Sequence, residues 1–206
     1  MPSCDSKAIS AVGVSGPFTR FGSWSPTFTS SQKRSAARRW DDVQVGEELP
    51  KVLKGPLTPT AEIAFESFFG IYLVGNKVAA NLYRKHPKLM ITNEQGVPEP
   101  PQRVHWDNAF TQRLLGLPGA YDLGPERCAW LIQGMTDWIG DDGLLTRIEA
   151  RYHKFNYMGD VTWVKGRVTD KFERDGKALV RCDVQCVNHR DEVTATATAE
   201  AELPRR

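Results

Sequence analysis

The last third of the chain alternates apolar and polar residues, a pattern typical of antiparallel β-strands with one buried face. Four such segments, residues 145–155, 160–173, 178–189 and 192–204, are separated by turns that contain glycine or aspartate. In the fourth, every second residue from Val193 to Leu203 is apolar, and threonine or glutamate stands between them. We therefore predict four antiparallel strands.

Helical spacing replaces this alternation in residues 124–139. The segment opens with Gly124 and Pro125, a pair typical of a helix start, and its apolar residues recur at three- and four-residue steps. Gly134 inside it favours close packing against a sheet, at a cost of about 1 kcal/mol in helix propensity. We predict a central helix whose buried face carries Cys128, Leu131, Ile132, Met135 and Trp138.

A first helix is predicted after Thr58, which is placed to cap it, with Pro59 at its first position. A second helical segment precedes Pro87, and the glycine and proline content of residues 88–102 indicates a loop of the length often used for binding or as a lid. One broad buried face is predicted for the first helix, from the spacing of Ile63, Phe65, Phe68, Phe69 and Tyr72.

The order of these elements, helices followed by a meander of strands, indicates an α+β domain in which an antiparallel β-sheet is wrapped around a central α-helix. Such a sheet leaves exposed edges, so we expect at least a dimer. The composition, with 40% hydrophobic and 25% charged residues in 206, is ordinary for one soluble globular domain. No apolar run is long enough to span a bilayer, so we expect no membrane association.

Residues 1–40 differ in net charge from the remainder of the chain. The segment holds six lysines or arginines and one acid, and it is rich in serine, so we predict a flexible basic extension followed by a domain at residues 41–206. An organelle transit peptide is the alternative to a cytoplasmic protein with a flexible tail. The domain itself is slightly acidic, which argues against nucleic-acid binding.

The four cysteines form no C-x-x-C pair and histidine is scarce, so we expect neither a metal site nor a disulfide scaffold, and no cofactor is indicated. Cys182 and Cys186 fall on one side of the third predicted strand, where we expect buried thiols. The segment "PPQRVHWDNAF", residues 100–110, holds His105 immediately before a predicted helix that Asp107 caps and Gly116 ends.

Several motifs together resemble the MaoC-like dehydratase family, of hotdog fold, which includes the (R)-specific enoyl-CoA hydratases. They are "DDVQVGEELP", "HWDNAFTQRLLGLPGAYDLG", "GDVTWVKGRV" and "VNHRDEVTATATAEAELP", and the similarity covers roughly residues 41–204. Each motif is weak alone, and their order carries the resemblance. It implies a single hotdog domain acting on acyl thioesters of coenzyme A or acyl carrier protein.

The resemblance also implies which residues do the chemistry. Family members use an aspartate and a histidine in a D-x-N-P-x-H pattern as acid and base, with a backbone N–H at the start of the central helix for the enolate oxygen. His105 matches the histidine and Gly124 the glycine that opens the helix. Pro100 stands where the aspartate belongs. Glu99, one place earlier, is the first-ranked substitute. Asp107, more simply a helix cap, and Asp122, two residues before Gly124, are the others.

Three functions are compatible with this pattern. The first is hydration or dehydration of the carbon-carbon double bond of an enoyl thioester, through His105, an acid still to be fixed, and Gly124. The second is a non-catalytic hotdog subunit that completes a heteromeric hydratase, since related assemblies pair a chain that bears the dyad with one that lacks it. The third is an acyl-CoA thioesterase. Either a homo-oligomer or a heteromer with a related hotdog chain is expected.

Overall fold

The computed structural model of the chain describes residues 38–69 and 77–206. Its main sheet has five antiparallel strands in the order β1-β5-β6-β7-β4. The four predicted strands are confirmed as the long strands of this sheet, with ends within a few residues of those expected. The strands are β1 (Val52–Lys54), β4 (Leu144–Tyr152), β5 (Thr162–Arg174), β6 (Lys177–Asn188) and β7 (Val193–Glu202).

The central helix, α4 (Gly124–Ile139), is the element around which the sheet folds. Leu131, Met135 and Trp138 are buried as predicted, whereas Ile132 is 37% exposed. A Cβ atom placed on Gly134 would lie 2.8 Å from Cγ1 of Val164 in β5, which confirms that this glycine allows close packing against the sheet.

The sheet contributes a layer of small side chains to the same core. Alternate residues of β7 from Ala195 to Ala201 are buried, as the alternation predicts. Cys182 and Cys186 of β6 are fully buried, and burial raises the pKa of each thiol to about 12. The predicted buried face of β7 and the predicted buried thiols of β6 are therefore confirmed. The exception is Val193, which is exposed and lies beside a register shift between β6 and β7.

Smaller elements precede α4 in the chain. They are α1 (Pro59–Phe69), α2 (Lys77–Lys85), the hairpin strands β2 (Ile91–Thr92) and β3 (Pro98–Glu99), a 3₁₀ turn at Pro101–His105 and α3 (Asn108–Leu115). The first two helices are confirmed, and the hydroxyl of Thr58 accepts a hydrogen bond from the backbone N–H of Ala61. The predicted loop at residues 88–102 contains the short β2–β3 hairpin.

The predicted buried face of α1 is wrong. Phe68 is 85% exposed and Ile63 is 39% exposed, whereas Glu62 and Glu66 are buried. Helical spacing defines a stripe of apolar side chains but not what that stripe contacts, and here it faces an open groove. Tyr72 and the side chain of Phe69 lie outside the described residues.

The predicted basic extension, residues 1–40, lies outside the described residues apart from its last three. Those three already contact the domain. The backbone N–H of Trp40 donates to the carbonyl of Pro204, and its indole N–H donates to the carbonyl of Leu179.

Candidate functional site

His105 ends the 3₁₀ turn and is partly buried. Its Nδ1 lies 2.8 Å from the carbonyl oxygen of Tyr121. A carbonyl oxygen can only accept a hydrogen bond, so Nδ1 must donate, and in the neutral imidazole Nε2 then carries the lone pair. Burial lowers the pKa of His105 below its ordinary value of 6.5, and the bond to Tyr121 opposes this only in part. The ring is therefore neutral, and able to accept a proton, near pH 7.

The segment around His105 is held by its own sequence. Asp107 is the N-cap of α3, as predicted, and its Oδ1 accepts a hydrogen bond of 2.9 Å from the backbone N–H of Phe110. Its Oδ2 binds the guanidinium of Arg103 at 2.6 Å. The hydroxyl of Thr111 donates to the carbonyl of Val104. These contacts fix the direction in which the turn presents the imidazole.

Gly124 is the first residue of α4, and Pro125 follows it. Backbone N–H groups in the first turn of a helix lack partners within the helix, and the helix dipole adds partial positive charge there. The N-cap residue, Leu123, provides no capping side chain. This end of α4 is therefore suited to an anionic oxygen. A Cβ on Gly124 would lie 3.5 Å from Cε2 of Tyr152, at ordinary contact distance.

Asp122 lies two residues before α4, and its carboxylate is fully buried. Oδ2 is 2.8 Å from Nε of Arg127 and accepts a 2.7 Å hydrogen bond from the side-chain amide of Asn156. Oδ1 accepts from the backbone N–H of Asn156 at 3.1 Å. Burial raises the pKa of Asp122 to about 6, against the opposing effects of Arg127 and Asn156. The carboxylate is thus ionised and enclosed by donors near pH 7.

Glu99 lies in β3, and its side chain is 31% exposed. Oε1 accepts a hydrogen bond of 3.0 Å from the side-chain amide of Asn93 and lies 3.7 Å from a terminal nitrogen of Arg103. Glu99 therefore belongs to the group of charges around Arg103, and it retains access to solvent.

The structure thus brings together three of the four residues selected from the sequence. Tyr121 binds His105 through its carbonyl, Asp122 is the next residue, and Gly124 follows two positions later. Glu99 instead contacts Asn93, which precedes the 3₁₀ turn, and Arg103 within the turn.

Sequence reasoning missed a group of buried carboxyl groups on the facing surfaces of α1 and α4. Glu62 and Glu66, one turn apart on α1, and Glu126, in the first turn of α4, are buried. Burial and the neighbouring Glu126 raise the pKa of Glu62 to about 10. The i, i+4 spacing of Glu62 and Glu66 is the only sequence signal for this face, and glutamates so spaced usually indicate solvent exposure.

An apolar groove of about 530 Å³ runs along α4 next to its N-terminus. One side comes from α1 and the other from the end of β4. Because its lining is almost entirely apolar and includes Pro125, the second residue of α4, it is suited to a hydrocarbon chain whose polar end lies at the start of that helix. The groove is lined by Phe65, Phe68, Pro125, Cys128, Ala129, Ile132 and Tyr152.

Within residues 38–69 and 77–206, no three or more histidine, cysteine, aspartate or glutamate side chains are grouped so as to hold a metal ion. In the same part of the chain, every helix is too short or too polar to cross a membrane.

Solved structures provide the comparison with known proteins. The unliganded (R)-hydratase PhaJ1 from Pseudomonas aeruginosa superimposes with a TM-score of 0.58 at 15% identity, over 82% of this chain and 86% of that one. The MaoC-like dehydratase from Rhodospirillum rubrum gives 0.55 at 18%, over 81% and 96%. A chain of the ChsH1–ChsH2 complex from Mycobacterium tuberculosis gives 0.52 at 21%, over 78% and 98%.

The chain has the hotdog fold. The fold prediction is therefore confirmed, and the resemblance to MaoC-like dehydratases seen in the sequence motifs agrees with these structural neighbours. No family model and no curated protein sequence matches the chain. At these identities the neighbours show the fold, and function has to be argued from the site.

Proposed function

We propose that this protein is a hydratase or dehydratase that acts on the carbon-carbon double bond of an enoyl thioester, carried on coenzyme A or acyl carrier protein. The observation that carries the proposal is the hydrogen bond from Nδ1 of His105 to the carbonyl of Tyr121. It leaves the lone pair of a neutral imidazole on Nε2, where it can act as a base, and it joins His105 to the segment that leads to the N-terminus of α4. The hydratase and dehydratase neighbours support the same reaction class.

In the hydration direction, Nε2 of His105 takes a proton from water, and the resulting hydroxide adds to the β-carbon of the enoyl group. The electron pair of the double bond moves toward the thioester, giving an enolate whose oxygen accepts a hydrogen bond from the N–H of Gly124. Protonation of the α-carbon completes the addition of one water molecule. The thioester bond stays intact throughout.

The proton for the α-carbon needs a second group or the same imidazole. Of the two carboxylates selected from the sequence, we propose Glu99 as a relay, which accepts the proton from the imidazolium of His105 and passes it to the α-carbon. The ring is then neutral again, and one water has been added. The side chain of Glu99 retains access to solvent, and the residue precedes the 3₁₀ turn that ends at His105. Asp122 is less suited to this role because donors already occupy both its oxygens.

The acyl chain is proposed to lie in the apolar groove along α4. This placement puts the thioester at Gly124 and the hydrocarbon against the side chains of α1 and β4, including Phe65, Ile132 and Tyr152. A second hotdog chain, identical or related, is proposed to complete the assembly, since the outer edge of β4 has no paired strand among the described residues.

A non-catalytic subunit of a heteromeric hydratase is the second candidate function. Pro100 at the position of the family aspartate favours it. One of the structural neighbours belongs to a complex of two different chains, ChsH1 and ChsH2. On this reading, the catalytic carboxylate comes from the partner.

Mass spectrometry of a panel of 2-enoyl-CoA substrates incubated with the purified protein separates these functions. A hydratase adds the mass of one water and keeps the thioester, whereas a thioesterase releases free coenzyme A. Release of coenzyme A without hydration would contradict the proposal. If the isolated chain is inert, pull-down from its native host, followed by the same assay on the recovered complex, tests the heteromeric alternative.

A further inference from the structure

We propose that Asp122 is a positioning residue for His105: through Asn156 and Arg127 it holds the carbonyl of Tyr121 against Nδ1, and so selects Nε2 as the reactive nitrogen. The effect of Asp122 on catalysis rests on the proposed function, whereas its effect on the tautomer and orientation of His105 does not. This role differs from the one that the sequence indicated for Asp122, which was that of a catalytic acid.

The carboxylate of Asp122 is closed to a substrate. Its side chain is fully buried, and donors from Arg127 and Asn156 reach both oxygens. Arg127 is itself tied to the sheet, because one of its terminal nitrogens donates to the carbonyls of Lys154 and Thr194. To protonate a substrate, Asp122 would have to break its contacts with Arg127 and Asn156. To position His105, it has to keep them.

Contacts between Asp122 and Asn156 help to fix the backbone on both sides of Tyr121. The N–H of Asp122 donates to the carbonyl of Asn156 at 2.9 Å, and the N–H of Met158 donates to the carbonyl of Ala120 at 3.1 Å. Tyr121 is thus held in a short antiparallel bridge with Tyr157. The side chain of Asp122 binds Asn156 twice more at the same place, so the bridge cannot slide without breaking buried polar contacts.

The bridge at Tyr121 also positions the imidazole of His105. With its segment fixed, the carbonyl of Tyr121 points at Nδ1 of His105, and the two rings are in edge contact with centroids 4.7 Å apart. A histidine whose Nδ1 faces a fixed acceptor is held in one tautomer and one ring orientation. Loss of that acceptor would let the ring rotate and the proton move to Nε2, which would then be unable to accept one.

Nuclear magnetic resonance tests this without reference to activity. The chain has four histidines, so ¹⁵N-histidine labelling with a His105→Gln reference spectrum identifies the imidazole signals of His105. Long-range ¹H–¹⁵N correlation at pH 7.5 is expected to show protonated Nδ1 in the wild-type protein. In Asp122→Asn the same spectrum is expected to show both tautomers in exchange. An Nε2-protonated wild-type ring would overturn the proposal.

Asn156→Ala provides a second variant if Asp122→Asn fails to fold. It keeps the carboxylate and Arg127 but removes one donor to Asp122, and it is expected to mix the tautomers in the same direction. Asp142→Asn is the matched control. Asp142 is exposed, lies between α4 and β4, and contacts Arg39 only loosely, at 3.9 Å. Its spectrum should keep the wild-type tautomer.

Kinetics on an enoyl-CoA substrate then separates this inference from the proposed function. We expect Asp122→Asn to lower kcat roughly 10- to 100-fold, the usual loss when a group that orients a functional histidine is removed, with KM changed by less than about twofold. An unchanged tautomer in Asp122→Asn would overturn the positioning role, even in an active enzyme. Absence of hydratase activity in the wild type would remove the proposed function and leave the tautomer result standing.

Discussion

Glu62 of α1 and Glu126 in the first turn of α4 form a buried pair of neighbouring carboxyl groups, and the presence of Glu126 helps to raise the pKa of Glu62. Two carboxylates offer only acceptors, so neither oxygen of Glu62 has a donor within the described structure unless one of the two groups carries a proton. The pair is therefore expected to hold one proton across the contact between α1 and α4.

This shared proton makes stability depend on pH. The pKa of Glu62 is raised from its ordinary value of 4.5 to about 10, so the folded state retains a proton that the unfolded state releases. The free energy of unfolding of the wild-type protein should fall as pH rises between these two values. Glu62→Gln has no proton to lose and should gain more than about 1 kcal/mol relative to wild type between pH 5.5 and pH 8.5.

Urea unfolding at the two pH values measures this change. Glu149→Gln is the matched control, because Glu149 lies exposed on β4 and pairs only with Arg147 on the surface. Its stability relative to wild type should stay within about 0.5 kcal/mol at both pH values. Parallel pH curves for Glu62→Gln and wild type would show that the pair holds no proton.

Packing of α4 on β5 is tested by Gly134→Ala. The added methyl group would lie 2.8 Å from Cγ1 of Val164, so strain of about 1–3 kcal/mol should exceed the helix-propensity gain of alanine. In a Val164→Ala background the obstructing methyl is absent, and the same substitution should be neutral or stabilising. A double-mutant cycle from urea unfolding gives the coupling energy between Gly134→Ala and Val164→Ala. Additive effects of the two substitutions on the free energy of unfolding would contradict this packing.

The start of α4 is tested by Gly124→Ala. A Cβ at this position meets Cε2 of Tyr152 at 3.5 Å, so the variant should fold with a Tm close to that of wild type. The methyl narrows the approach to the Gly124 N–H, and we expect kcat/KM for a 2-enoyl-CoA to fall tenfold or more. Thermal melting and steady-state kinetics check the two halves of this prediction. Full activity would exclude a thioester bound at this amide.

The cysteines report on the groove and the core in one experiment. Cys182 and Cys186 are fully buried, with thiol pKa values raised to about 12, whereas Cys128 is partly exposed and lines the groove. In the native protein a maleimide should label Cys128 much faster than the two β6 thiols, as peptide mass spectrometry would show. Labelling of Cys128 should also block the groove and abolish turnover. Rapid labelling of Cys182 would contradict the core assignment.

The sequence predicts the long strands, the central helix and the caps because their signals are local. Alternation along residues 193–203, the Gly124–Pro125 helix start and the Asp107 cap each act within a few residues. The face that α1 buries depends on distant contacts instead. Its apolar residues border an open groove and its glutamates turn inward, the reverse of what spacing alone indicates.

The candidate site divides in the same way. His105 and Gly124 are candidates because they match motif positions, but the partner of His105 is a backbone carbonyl, which has no signature in sequence. Asp122 was selected as a possible acid because of its position, whereas its contacts with Arg127 and Asn156 join segments far apart along the chain. Those contacts suit Asp122 to orienting the imidazole of His105.

Comparison of wild type with His105→Ala on a 2-enoyl-CoA panel tests the central claim most directly. We predict a loss of kcat/KM of about two or more orders of magnitude at unchanged Tm. His153→Ala, at an exposed histidine that directly follows β4, should stay close to wild type. The pKa of His105 is lowered by burial, so wild-type kcat/KM should fall only as pH drops below the ordinary value of 6.5. Equal activity of wild type and His105→Ala across the panel would contradict the account.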